Sequence, residues 1–588
     1  MVRCSSGRGR LSFFLVLWLG QVPGLASAAW PTSSLVNVPL CTAMNSQLAP
    51  VLATDGSGGA IAAWSDNRAG ATSDIYAQHV LANGTVDSSW PTNGVLLCGA
   101  AGNQIIRGIV ADGTSGAIVV WQDARTGTND IYAQHVLGQG VVDAAWPVDG
   151  ASVCSASGSQ SSPVAISDGT HGAIIAWLDF RSDTTSNVYV QHLLGSGTVD
   201  GAWPVDGRAL CTAVGNQQRL TMTSDAQGGA IVAWQDFRGG ATADIYSGHV
   251  LASGSVDPAW PADGVVVCSA TGNQMVPDVA IDGHHGAIVT WYDFRGGATS
   301  DIYGQHVRSD GSVDPAWPND GRALCLAVAN QQLPKSVSDG AGGAVVAWVD
   351  SRNASTGSDV YATHVKADGS LDPAWPVDGT ALCTAFGGQV NHSIAGDGTG
   401  GAIVSWEDSR TGVASDIYAQ HVQASGAVDP AWPANGRGIC TASTNQQLPA
   451  ILADGSGGAI LAWADFRATG GAFSDIYAQR VQADGQLGGS VVGVPVTQPT
   501  VDALGPVSPN PSNGLDLTLS LTLPRSGPVS IELLDVRGRR LALQRVDSPS
   551  ATVTLATLGY AGQLPPGIYL LSVRQGATAW VRRFAVVN

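Results

Sequence analysis

Along most of the chain, a run of consecutive apolar residues closes on a tryptophan and a short polar signature, and the whole arrangement then returns. The first copy is Gly58-Gly59-Ala60-Ile61-Ala62-Ala63-Trp64-Ser65-Asp66-Asn67-Arg68, followed by Asp74-Ile75-Tyr76-Ala77-Gln78-His79-Val80. The tryptophan of this WxDxR pattern falls at Trp64, Trp121, Trp177, Trp234, Trp291, Trp348, Trp406 and Trp463, at intervals of 56 to 58 residues. A fixed period with almost no insertions marks a repeat architecture, whose units bury their faces against their neighbours. Each unit predicts four short strands, which in the first copy are 49–53, 60–64, 75–81 and 95–98. Turn-forming residues separate them, as at Asp55-Gly56-Ser57-Gly58-Gly59 and Arg68-Ala69-Gly70-Ala71-Thr72. The second strand does not alternate, Gly229-Ala230-Ile231-Val232-Ala233-Trp234 being apolar throughout, so it is expected to be covered on both faces.

The two ends of the array complete each other. Ala29-Trp30-Pro31 and Leu40-Cys41-Thr42-Ala43 match the close of a unit, as in Ala431-Trp432-Pro433 and Ile439-Cys440-Thr441-Ala442, whereas the last unit stops near Gly485 without either element. The expectation is an all-β fold: an eight-bladed β-propeller over 29–487, its ring closed by an N-terminal strand within 30–43. Closure removes the exposed edge that an open stack would carry, and the sequence shows no atypical capping repeats of the kind an open stack needs. Before the array, a basic start, the apolar run 11–19 and Ala26-Ser27-Ala28 read as a secretory signal over 1–28. After it, 488–503 reads as a linker, and 504–588 shows alternating strands sized for a small immunoglobulin-like β-sandwich.

Charge narrows the partners. Residues 1–28 and 501–588 each carry +3 of a total of −18, which leaves the repeat region at −24. Nucleic acid and anionic lipid need clustered cations, so neither is expected as a partner; a solvated acidic surface that keeps a monomer soluble is the favoured reading.

Several repeated residues invite chemistry. Seven histidines share one position, His79, His135, His192, His249, His306, His364 and His421, with Arg480 in the eighth. One position on separate blades does not converge on a single ion, so packing and hydrogen bonding are expected and no metal or cofactor. Trp64, Asp66 and Arg68, like Trp121, Asp123 and Arg125, are read as structural, the arginine reaching across the hairpin to Asp74 or Asp130 as a charge-assisted pair. The third unit varies here, with Asn187-Val188 in place of Asp-Ile. Cys41, Cys98, Cys154, Cys211, Cys268, Cys325, Cys383 and Cys440 form an even set in an exported protein. Equivalent positions on neighbouring blades are too far apart for a bridge, so no disulfide is expected and the thiols should be buried and free. A second tryptophan series, Trp90, Trp146, Trp203, Trp260, Trp317, Trp375 and Trp432 with Trp30, sits in the turn AWPxxG. These rings either stack on sugars or partner side chains, or plug the long turn onto the blade, the plug being favoured.

Catalysis needs one asymmetric cluster of groups, whereas here nearly every polar residue is repeated, and Glu407 is the ring's only glutamate. No catalytic residue is assigned, and His171, His284, His285 and His392, which break the symmetry, assemble no site.

The series Ser508-Pro509-Asn510-Pro511, Leu523-Pro524-Arg525-Ser526-Gly527-Pro528-Val529, Leu534-Asp535-Val536-Arg537-Gly538-Arg539-Arg540 and Pro566-Gly567-Ile568-Tyr569 resembles the C-terminal sorting domain of type IX secretion substrates. It is also similar to the immunoglobulin-like domain of flagellar hook-cap proteins, though Leu558-Gly559-Tyr560-Ala561-Gly562 replaces the Trp-Asp-Gly segment common there. The repeat resembles WxDxR…DIYAQ repeats of large bacterial surface proteins. These resemblances imply export from a Gram-negative bacterium, secreted or on the cell surface, with the outer-membrane secretion machinery as a partner. The function expected is binding of a macromolecule, protein or polysaccharide, through one face of the ring. Extracellular polysaccharide hydrolysis or elimination, and a purely structural surface layer, are the alternatives.

Overall fold

A computed structural model describes residues 30–489, Asp183 excepted, and beyond them the strands Leu504–Ser508, Thr518–Thr522, Val529–Asp535, Arg540–Val546, Ser550–Thr554, Gly567–Gln575 and Thr578–Val586. The expected signal segment 1–28, the linker from 490 to 503 and the segments between those last strands, which hold most of the sorting-type motifs, lie outside the described residues. The chain divides into two compact units, Met1–Val494 and Pro495–Asn588.

The first unit is an eight-bladed β-propeller. After β1 (Val38–Cys41) comes the first complete blade: β2 (Gln47–Thr54), β3 (Ala60–Asp66), β4 (Asp74–Val80) and β5 (Val95–Cys98), antiparallel and paired in sequence order. The pattern repeats to the last blade, where Gln446–Ala453, Ala459–Asp465 and Asp475–Val481 are followed not by a fourth strand of their own but by β1. β1 pairs antiparallel with Asp475–Val481, Val38 facing Ala478. First strands of successive blades touch all round, and Gln446–Ala453 returns to touch β2, so the ring closes and its first strands surround the axis.

The unbroken apolar run of β3 has a geometric cause. Successive residues of a strand point to opposite faces, and in a propeller each face meets a different neighbour. Ile61 and Ala63 pack with Ala117, Val119 and Trp121 of the next blade. Ala60, Ala62 and Trp64 pack with Ile460, Ala462, Ile476 and Ala478 of the last. All seven β3 positions are therefore buried. The first strands carry one further regular feature, a β-bulge, which in β2 lies between Leu48 and Val51. There Ala49 takes a left-handed φ of 52°, as do Ser162 (52°), Arg219 (54°) and Val276 (49°) at the same place in later blades. A bulge bends its strand and re-aims the side chains on it.

The second unit is also all-β. One sheet runs Leu504–Ser508, Thr518–Thr522, Ser550–Thr554; the other runs Arg540–Val546, Val529–Asp535, Gly567–Gln575, Thr578–Val586. Ile531, Leu533, Tyr569 and Val586 are buried in it.

Candidate functional site

The repeated signature is a closed hydrogen-bonded knot at the end of each second strand. Asp66 has no exposed surface. Its Oδ2 accepts from Trp64 Nε1 at 2.7 Å and Arg68 Nη2 at 2.6 Å, and its Oδ1 accepts from Arg68 Nε at 2.9 Å and from the Arg68 backbone N–H at 2.8 Å. The same guanidinium donates to Cys41 Sγ at 3.1 Å and lies 3.6 Å over the Tyr76 ring. Trp121, Asp123 and Arg125 repeat the arrangement with Cys98 and Tyr132. Because Cys41 and Cys98 belong to the blade before, each arginine also staples two blades together.

The pairing of Arg68 with Asp74, and of Arg125 with Asp130, is a correction. Asp66 stands opposite Asp74 in register, but the arginine is only two residues past Asp66, so its planar fork closes on that carboxylate from the same chain segment. Asp74 is left buried without a cation, and burial, then the charge of Asp66, raises its pKa. Thr126 Oγ1 donates to Asp130 at 2.9 Å in place of a cation. All eight ring cysteines are buried and free. Burial pushes the Cys41 and Cys98 thiols up to about 12.

Each histidine of the repeated position is clamped between two aspartates. His79 bonds Asp87 through Nδ1 at 2.9 Å and Asp55 through Nε2 at 3.1 Å, and Asp55 further accepts the backbone N–H groups of Ser57 and Gly59. His135 sits likewise between Asp143 and Asp112, both at 2.9 Å. In the last blade Arg480 donates to Asp454 instead. Among the described residues, no group of His, Cys, Asp and Glu side chains is placed to hold a metal ion.

The AWP tryptophans are blade-to-blade pins. Trp90 is 4% exposed, and its Nε1 donates to the Gly138 carbonyl of the next blade at 3.0 Å. Trp146, Trp260, Trp317, Trp375 and Trp432 make the equivalent bond, and Trp30 makes it across the seam to Ala82. Trp203 is seated alike but its Nε1 lacks a partner. Ligand stacking by Trp90, Trp146, Trp203, Trp260, Trp317, Trp375 and Trp432 is therefore corrected: the rings are buried and offer no free face.

With the repeated residues so engaged, what is left for recognition is where the repeat varies. In four blades the residue after the WxDxR tryptophan reaches the bulge of the next blade. Ser65 Oγ accepts the Ile106 N–H at 2.9 Å, Gln122 Oε1 that of Ser162 at 3.2 Å, Gln235 Oε1 that of Val276 at 3.3 Å and Glu407 Oε1 that of Leu448 at 2.6 Å. In the other four blades the residue is Leu178, Tyr292, Val349 or Ala464, none of which makes this bond, and Leu178 is the one of the third blade. There a cavity of about 510 Å³ opens, lined among others by Arg107, Ser162, Phe180, Gln218 and Arg219. A smaller one of about 320 Å³ lies beside Glu407, Ser409, Val413 and Asn445. Sequence reasoning missed Arg107 and Arg219. The available signal was a cation within the otherwise apolar and neutral start of a first strand, Arg107 standing where five other blades have Pro50, Pro163, Pro277, Pro334 and Pro449. His392 occupies that same position in the seventh blade, and burial drops its pKa to about 4.

Residues 506–587 match the family model described as the secretion system C-terminal sorting domain. The chain carries a secretion sorting domain. It is thus an exported protein of a type IX system, secreted or on the cell surface, and the domain implies contact with the secretion machinery. No curated relative matches the sequence. Solved structures to which the chain is similar include a polysaccharide lyase of family PL25, an ulvan lyase, at 10% identity and a TM-score of 0.39, over 76% of this chain and 97% of that one. They also include an α-L-arabinanase of Penicillium chrysogenum at 14% identity and 0.30, over 50% and 85%. A protein of unknown function from Dyadobacter fermentans is similar at 9% identity and 0.32, over 55% and 94%.

Proposed function

We propose that this exported propeller binds a macromolecule, polysaccharide or protein, on the ring face where second strands pass to third and fourth strands pass to the next blade. The observation that carries this reading is the cavity beside Leu178. It is larger than the cavity beside Glu407, and it lies where the eightfold pattern breaks and the side chains of Arg107 and Arg219 are left without protein partners. Recognition needs a concave site with a few convergent polar groups. The knots of Asp66 and Arg68, the clamped histidines and the tryptophan pins supply a rigid frame for it. The same face carries exposed apolar side chains at one repeated loop position, Met44, Val214, Val328 and Phe386, and again at Val413, which suits contact with a large partner.

The test is a binding screen of the full-length secreted protein against polysaccharides and surface extracts, with polymer chain length followed in parallel. Saturable binding without shortening of the polymer supports the proposal. Turnover would replace it with a polysaccharide hydrolase or lyase, and absence of any binding would leave a structural coat.

A further inference from the structure

We propose that the cavity between the second, third and fourth blades is a subsite for an acidic sugar residue of a polysaccharide, its carboxylate or sulfate ester held by Arg107 and Arg219. The proposal rests on the reading that this face binds a macromolecule, and it names the chemistry of the ligand.

The arginines of the ring make the argument. Those of the WxDxR signature are committed to their aspartates, as Arg68 is to Asp66. Arg308 pairs with Asp314 and Arg480 with Asp454. Arg208, Arg322 and Arg437 donate to the carbonyls of Gly254, Gly369 and Gly485. Among the described arginines of the ring, Arg107 and Arg219 alone have neither an ion pair nor a hydrogen bond, and both line this one cavity. Among the described residues, no aspartate or glutamate lines it, in a ring whose net charge is −24. Two exposed, unneutralised cations so placed have an anion as their natural complement, and a guanidinium fork matches the paired oxygens of a carboxylate or sulfate.

Both arginines sit on the first-strand bulges. Arg107 is the extra residue between Ile106 and Gly108, and Arg219 lies in the bulge between Gln218 and Thr221. Leu178 leaves the backbone N–H of Arg219 without the side-chain acceptor that Ser65, Gln122, Gln235 and Glu407 supply elsewhere. The rest of the lining suits a sugar: Leu178 and Phe180 offer an apolar wall for a ring's C–H face, and Ser162, Asn216 and Gln218 offer polar groups for hydroxyls. A nucleic acid would need a cationic track beyond the cavity, and the acidic ring has none. An acidic peptide would satisfy the arginines but leave the hydroxyl-seeking groups idle.

The experiment measures binding of full-length protein to polygalacturonate, dextran sulfate, neutral dextran and poly-glutamate by calorimetry. It uses wild type, Arg107→Gln, Arg219→Gln, the double variant, and Lys366→Gln as a cation outside the cavity. Arg107 and Arg219 hold nothing in place, so the variants should unfold at the wild-type temperature, which is checked alongside. The expected result is saturable binding of one acidic polysaccharide, weakened about tenfold or more by each arginine variant and abolished in the double, with Lys366→Gln unchanged. Preference between polygalacturonate and dextran sulfate identifies the anion. An acidic polysaccharide bound equally well by the double variant, or binding of neutral dextran alone, overturns the subsite and leaves macromolecule binding standing. Arginine-dependent binding of poly-glutamate alone overturns the sugar in favour of an acidic peptide. Binding of none of the four overturns the subsite; if surface extracts also give no binding, the broader reading falls with it.

Discussion

The indole N–H of Trp90 reaches out of its own blade to the carbonyl of Gly138, 3.0 Å away in the next, and Gly140 of that turn lies against the ring so closely that a Cβ there would stand 2.5 Å from Trp90 Cγ. Gly140 has a φ of +75°, so both its conformation and its space require glycine. The same contact at the seam joins Trp30 to Ala82 and Gly84. A ring of like units is held by nearest-neighbour interfaces, and this pin is a large share of each.

Truncating a buried tryptophan costs about 3–5 kcal/mol, so Trp90→Ala and Trp30→Ala should both lower stability by amounts of that order. Their kinetics should differ. The chain links Trp30 to Ala82 as it links Trp90 to Gly138. Trp30, however, also pairs with Gly489, just past the last blade's third strand, where the N-terminal segment and that blade meet only through non-covalent contacts. Denaturant-jump unfolding should therefore be faster for Trp30→Ala than for Trp90→Ala; equal rates would mean that the seam is not where the ring opens.

Removing Arg68 strands a wholly buried carboxylate. Breaking a buried pair by deleting one partner costs about 3–5 kcal/mol, and Arg68→Ala should fall in that range. Arg68→Lys keeps the charge but not the fork that meets both oxygens of Asp66 and the Cys41 sulfur, so it should recover only part of the loss. Thermal unfolding of the two variants ranks them, and full recovery by lysine would show that charge alone matters.

The thiols give a direct chemical check. The eight buried ring cysteines, with pKa values raised by burial, should not react with a disulfide reagent in the native protein at neutral pH, and protein lacking residues 1–28, and so Cys4, should titrate as eight thiols after denaturation. A zero count in the denatured protein would mean that bridges form.

The propeller was legible because its determinants are local and repeated. The 56-to-58-residue period, the apolar second strand and the complementary ends each follow from one blade meeting its neighbours. The sequence does not decide the partner of Arg68, because Asp66 and Asp74 are both in reach and only the backbone turn after Asp66 chooses between them. The sequence favours the AWP tryptophans as plugs without deciding it, because a turn sequence does not say whether the next blade covers it. Arg107 and Arg219 escaped notice since they lie on two strands two blades apart, and only the bulges of a closed ring bring them to one cavity.

The clamped histidines should make stability depend on pH. Burial works against the His135 cation, but the hydrogen bonds it donates to Asp112 and Asp143 outweigh it and raise the pKa above 6.5. Its stabilising share is full below the unfolded value of about 6.5 and is lost as pH rises through the folded one. Burial likewise works against the Asp112 carboxylate, yet bonds from His135, Thr114 and Gly116 lower its pKa from 3.8 to about 2. That share is present above the unfolded value and is lost as pH falls towards about 2. The triad thus contributes most between about pH 4 and 6.5. Unfolding temperatures should be higher at pH 5.5 than at pH 9, and His135→Gln should flatten that slope; an unchanged slope would remove the triad as its source.

Asp416 should behave in the opposite sense to Asp112. It is buried at the start of its third strand, directly opposite Asp408, whose carboxylate takes up Arg410 at 2.6 Å. Burial first, and the Asp408 charge second, raise its pKa to about 6. A carboxylate whose folded pKa lies above its unfolded one costs stability once ionised. The cost begins as pH rises past the unfolded value of 3.8 and is complete above about 6. Asp416→Asn removes the charge while keeping the shape, and the third blade already carries Asn187 at this place, its Nδ2 donating to Ser182 Oγ at 3.3 Å. The variant should therefore gain about 1–3 kcal/mol at pH 7.5 and nothing at pH 3.5, measured by chemical denaturation at both. A gain of equal size at the two pH values would trace the effect to packing rather than to charge, and a loss at pH 7.5 would mean that the ionised carboxylate is needed there.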